Sequence, residues 1–263
     1  VLRPGEILRC GLTEFCVQHV EDASDAKPGP GSIAPSHVHP APAAHVHAAA
    51  APPHKKTDAT RTQPSGGGNT DDAILPETSG FTGTSAAEIF EKYSLGKDIK
   101  LAPTKDESPA EYARRLSASC EKNECLIFLS YALPKRCAVW WLTQCTRAAE
   151  SFKSEADRPM LLLAENWVRE PTDENRRNAM KMAEELEMAS PAAWAGVAAF
   201  WSHGSMGPPE APPVPAADQF SGKAVSGGAA IASVLHTPEN APERRRQFTE
   251  IGVRIAAGQL PWQ

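Results

Sequence analysis

Residues 84–263 predict an all-α domain, a multi-helix bundle or helical array of about eight or nine helices, behind a short β remnant and a disordered linker. Three observations carry that reading. Up to about Gly83 the chain is poor in large apolar side chains and rich in Pro, Ala, His and Gly, whereas from Thr84 it is dense, Ala-rich and periodic. Helix-start signatures, a Ser or Thr followed by Pro or by Glu three residues on, recur throughout this second part. In Leu133-Pro134-Lys135-Arg136-Cys137-Ala138-Val139-Trp140-Trp141, proline opens a helix and two adjacent tryptophans follow within two turns. Neighbours on an α-helix point about 100° apart, so this helix must pack on two sides or show an indole to a partner.

Residues 1–20 hold two short β-prone stretches, Glu6–Cys10 and Thr13–Val17, separated by Gly11-Leu12 and preceded by the turn signal Pro4-Gly5. An isolated hairpin is marginal in water, so these strands need a sheet. The string Leu2-Arg3-Pro4-Gly5-Glu6-Ile7-Leu8-Arg9-Cys10-Gly11-Leu12-Thr13-Glu14-Phe15 resembles the closing strand pair of a forkhead-associated (FHA) domain. The phosphothreonine-reading loops of that family lie upstream of this pair, so no binding residue carries over. The resemblance implies a C-terminal remnant of a β-sandwich, and the start at Val1 suggests a fragment, a processed product or an incomplete reading frame.

Residues 21–83 read as a linker. Eight prolines fall between Pro28 and Pro64, a Gly66-Gly67-Gly68 tract follows, and little apolar surface is present to offset the entropy of ordering. Its chemical feature is His37, His39, His45, His47 and His54. Pairs spaced one apart can chelate Zn²⁺, Ni²⁺ or Cu²⁺, but a linker offers neither fixed geometry nor supporting hydrogen bonds.

The helices then follow in order. Ser85-Ala86-Ala87-Glu88 and Ser108-Pro109-Ala110-Glu111 read as capping boxes. The stretch 121–133 is apolar almost all round and should be a buried central helix. Pro134 opens the tryptophan helix, and Ser154 is expected to cap the one holding Met160 and Trp167. Thr172 caps a charged helix with Ala179, Met182, Ala183 and Leu186 inward, and Ser190-Pro191 caps another. Pro208–Pro215, with five prolines in eight residues, should be polyproline II able to lie along an aromatic surface. A helix near 220–235 carries Gly227, Gly228, Ala229 and Ala230, for which close helix packing is a reason. The last helix is expected to be capped by Thr237-Pro238 and closed by Gly258.

Composition narrows the function classes. The net charge of −5 argues against nucleic acid as a general partner, and Arg244-Arg245-Arg246 reads as a solvated face. No run of about 18 uncharged apolar residues occurs, so no membrane span is expected. The six cysteines match no zinc spacing and sit mostly among apolar neighbours, which suits buried thiols in the cytoplasm. No metalloprotease, phosphate-loop, nucleophile-elbow or dinucleotide motif is present. His203 and His236 fall at helix ends, where a histidine suits the helix dipole, and Glu184-Glu185 lie on a solvated face. No catalytic residue and no cofactor is expected.

That leaves surfaces. Cys137, Ala138, Trp141, Leu142, Cys145, Ala148 and Ala149 form one apolar face of the tryptophan helix, and Trp140 is not on it. Trp140 has Arg136 within one turn and Arg147 a turn beyond Thr143 and Gln144, a grouping suited to cation–π contacts and to protein recognition. Trp140, Arg136 and Arg147 are therefore the candidate partner-binding residues, unless a second layer such as the proline segment covers Trp140.

The chain also resembles a bacterial family of unknown function. The resemblance rests on Glu91–Leu95, Ala132–Trp141, Ala164–Val168 and Pro171–Arg177, with Trp194, Phe200–Ser202 and the later Pro-Pro-Val-Pro, and it spans about residues 88–257. It implies an all-α domain of proteobacterial proteins near type VI secretion genes, with no catalytic residues attached. The expected function is a cytoplasmic, non-enzymatic interaction or scaffold module. In that reading an FHA part reads phosphothreonine and the helical domain docks a second protein. A metal-binding protein acting through the linker histidines and an enzyme with an unfamiliar site are the alternatives.

Overall fold

A computed structural model describes residues 80–119 and 123–261 with their side chains, and the backbone of two strands near the N-terminus. Strands β1 (Ile7–Cys10) and β2 (Thr13–Cys16) pair antiparallel, with Ile7 opposite Cys16 and Cys10 opposite Thr13. The linker histidines and the expected linker up to Ser79 lie outside the described residues.

The described helical part begins before Thr84. Phe81 packs against the core, and the Thr82 amide and hydroxyl donate to Ala132 O (2.8 Å) and Tyr131 O (3.0 Å). Nine α-helices follow among the described residues: α1 (Ala86–Lys92), α2 (Pro109–Ala118), α3 (Glu124–Ala132), α4 (Lys135–Ala148), α5 (Asp157–Arg169), α6 (Asp173–Glu185), α7 (Pro191–Phe200), α8 (Gln219–Val234) and α9 (Ala241–Ala256). None is long and apolar enough to cross a membrane. The all-α class is as the periodicity predicts.

Most helix starts follow the sequence signals. Ser108 and Glu111 make the full reciprocal box, and Thr172 and Ser190 each accept the amide three residues on. At Ser85 the reciprocal half is displaced, because Glu88 accepts from the amide and hydroxyl of Thr84. Two expected caps differ. Ser154 does not cap α5. Asp157 accepts the amides of Lys153 and Ser154 (2.8 Å to Ser154) and the hydroxyl of Ser190, since a carboxylate is the stronger acceptor and also joins two helix starts. Thr237-Pro238 opens a 3₁₀ turn, Pro238–Asn240, ahead of α9, and the Thr237 hydroxyl accepts from Arg244 at 2.6 Å. Gly258, at φ +99°, closes α9 by letting Gln259 N–H reach Arg254 O.

The proline segment turns back on itself. Met206 N–H bonds Val214 O and the Ser205 hydroxyl accepts from Val214 N–H, which closes a loop whose residues Pro208–Pro215 are all exposed. None of these residues is buried in a second layer, and Pro208 shares the rim of a groove with Phe200.

Helix α4 lies at the centre and packs on α3, α5, α7, α8 and α9. Both of its sides are buried, from Cys137, Trp141 and Cys145 round to Val139, Thr143 and Thr146. Trp141 is fully enclosed and its indole N–H donates to Phe248 O on α9 at 2.8 Å. Cys125, Cys137 and Cys145 are free buried thiols. Burial pushes Cys125 and Cys137 up to about 11, and Cys145 well above the usual thiol range.

Candidate functional site

Three helix ends are completed by arginines from elsewhere in the chain. Arg136 is 3 % exposed and donates to Val168 O (2.6 Å) and Arg169 O (3.0 Å) at the end of α5. Arg176 is fully buried and donates to Phe200 O (2.7 Å), the last carbonyl of α7, and to Ser205 O (2.8 Å). Arg244 donates to Ser233 O in the last turn of α8 and to Leu235 O just beyond it. A guanidinium fork suits carbonyls that the helix itself leaves without donors. These roles remove Arg136 from the expected surface and place Arg244 half-inside rather than on a solvated face. They also give the end of α7 to Arg176, while the ring of His203 lies 5.9 Å from that of Trp167. His236, beyond α8, meets Phe152 O at 2.9 Å.

Arg176 belongs to a polar node with Asp173 and Arg177. Asp173 accepts from Arg176 Nε at 2.9 Å and Arg177 Nε at 2.6 Å, while Arg177 also donates to Gly207 O. Partial burial works against the Asp173 charge, but hydrogen bonds from the two guanidiniums hold its carboxyl below the usual aspartate range. The node ties the loop after α7 to α6. Beside it lies an open groove of about 310 Å³ lined by Met180, Phe200 and Met206 with Arg177, Lys181 and Glu184. Its guanidinium donors go to Asp173 and to carbonyls at the end of α7 and in the loop, which makes it a structural centre.

The surface left by α4 is narrow. Only Trp140, Gln144, Arg147, Ala148 and the terminal Lys135 reach solvent from it. Trp140 is partly buried, and the guanidinium of Arg169 on α5 stands 5.9 Å from its ring centroid. The cation on Trp140 thus comes from the next helix. Arg147 makes a two-pronged pair with Glu165, at 2.6 and 2.9 Å, whose carboxylate is buried between α4 and α5. Leu162 is 49 % exposed and shares a helix face with Asn166 and Arg169. It is one of three large apolar side chains exposed among the described residues, with Leu101 and Val214.

The α4–α5 face therefore presents Trp140 under Arg169, Leu162 two turns along α5 from Arg169, and Arg147 held by Glu165. Of the residues expected from the sequence it keeps Trp140 and Arg147, and it adds Arg169 and Leu162. The i, i+4, i+7 spacing of Leu162, Asn166 and Arg169 was visible in the sequence, but its pairing with Trp140 was not. Among the described residues no three His, Cys, Asp or Glu side chains gather to hold a metal.

A family model described as a family of unknown function, DUF6931, matches residues 112–256, more than half of the chain. No curated protein and no solved structure matches it.

Proposed function

We propose, from the premise that this chain belongs to the DUF6931 family of unknown function, that its helical domain is a non-enzymatic module whose α4–α5 face docks a protein partner. The observation that carries this reading is the grouping of exposed Leu162 with the Trp140–Arg169 pair on one face. Trp and Arg are the side chains most enriched at binding hot spots, and a partly buried indole is already ordered, so little side-chain entropy remains to be lost on binding.

The wider reading is a cytoplasmic bacterial protein associated with type VI secretion, in which an FHA part reads phosphothreonine, residues 21–83 give reach, and the helical domain holds a second protein. Its support is the resemblance of Leu2–Phe15 to the closing strands of an FHA domain, together with the antiparallel pairing of β1 with β2.

The test is affinity capture with the tagged full chain. Leu162→Glu and Arg169→Glu alter exposed side chains and should leave the circular dichroism unchanged. Both should abolish retention of the partner that the unaltered chain retains. Equal retention by the two variants would remove this face from the reading.

A further inference from the structure

The outward face of α8 differs from those of the other surface helices. On α2, α6 and α9 the exposed positions carry charges, such as Arg114, Glu174, Lys181, Glu250 and Arg254. The outward side of α8 carries Lys223, Ser226, Gly227, Ala230, Ile231 and Val234, all partly or fully exposed. Their spacing puts them on one face over about three turns. Lys223 is its single charge. On the opposite, buried side of α8, Gly222 and Gly228 lie close against Tyr131 and Trp194, which are themselves partly buried. Uncharged small and aliphatic side chains over three turns have the composition of an interface core rather than of a solvated helix.

We propose that this face binds a second copy of the chain, with the two α8 helices packed antiparallel across a two-fold axis near Ile231. A two-fold contact requires a patch that complements itself. This one can, being neutral in the middle, with a lysine near one end of α8 and a glutamate in the turn that follows the other. Lys223 is exposed near the start of α8, and Glu239 is exposed in the 3₁₀ turn beyond its end. Neither has an ion-pair partner among the described residues. An antiparallel pairing brings Lys223 of each copy to Glu239 of the other, whereas a parallel one would set lysine against lysine. Gly227 and Ala230 let the axes approach to the near end of the usual 8–10 Å, so that Ile231 and Val234 pack across the axis.

Sedimentation equilibrium of the full chain at low ionic strength tests the proposal. The unaltered chain should reach the dimer mass at high micromolar concentration. Ala230→Glu should stay monomeric with unchanged circular dichroism. Lys223→Glu should weaken the dimer roughly tenfold, and Lys223→Glu with Glu239→Lys should restore it. A wild-type chain that remains monomeric, as expected if another protein or another segment of the chain covers α8, would overturn the proposal. So would a double variant no tighter than Lys223→Glu.

Discussion

The inward-turned arginines do more for this domain than their charge suggests. Arg136, Arg176 and Arg244 each reach carbonyls at the end of a helix they do not belong to, and Arg176 meets three acceptors at once: Asp173 Oδ1, Phe200 O and Ser205 O. Gly204, at φ +69°, is required there, because a Cβ would lie 3.0 Å from the Arg176 guanidinium. Arg176→Ala should lose about 2–4 kcal/mol in urea unfolding, since the carbonyls lose their donors in a site closed to water. Arg176→Lys should recover little, because an ammonium cannot span the same acceptors. A loss below about 0.5 kcal/mol would mean that water replaces the guanidinium. The thiols give a second residue-level expectation. Burial disfavours the thiolates of Cys125, Cys137 and Cys145, so none should react with a thiol reagent at neutral pH until the chain is unfolded.

Between elements, close approach decides more than propensity. Gly196 lies mid-helix in α7, where alanine would raise helix propensity by up to about 1 kcal/mol. An added Cβ would stand 2.7 Å from Ala179 O of α6 and 2.5 Å from the Met160 side chain of α5. The methionine can move, but the backbone oxygen moves only with its helix. Overpacking of this kind costs about 1–3 kcal/mol, so Gly196→Ala should lower the urea midpoint despite the better helix former. A raised midpoint would show that α6 and α7 can separate without cost. The same reasoning settles the adjacent tryptophans. Helix α4 is enclosed by five neighbours, so Trp141 has room on the α9 side while Trp140 lies towards α5.

For the helical domain as a whole, acid should be the destabilising direction. The Arg115 guanidinium pulls the Glu107 carboxyl below its usual range, Arg114 does the same for Glu250, and the arginines of the node do so for Asp173. A carboxyl whose folded value is depressed contributes stability that is present above its unfolded value, about 4.3 for glutamate, and is lost as the pH falls through the folded one. The Arg114–Glu250 pair is half exposed and contributes little, whereas Glu107 is largely enclosed and doubly bonded to Arg115. Urea midpoints should hold down to about pH 5 and fall below it, and Arg115→Ala should flatten part of that fall. A midpoint unchanged into acid would contradict this account. The sequence by itself determined the helix class, the hairpin strands, the order of the helices and most of their starts. These follow from periodicity and from caps that reach three or four residues along the chain. Only the tertiary structure decided where the polar side chains went. From its own helix Arg136 looks like a neighbour of Trp140, yet it turns inward to α5, and the cation over Trp140 is Arg169. The ends of helices release carbonyls that local sequence leaves without donors. Which arginine reaches them depends on how the helices pack, across 24 residues for Arg176 with Phe200 O and 32 for Arg136 with Val168 O.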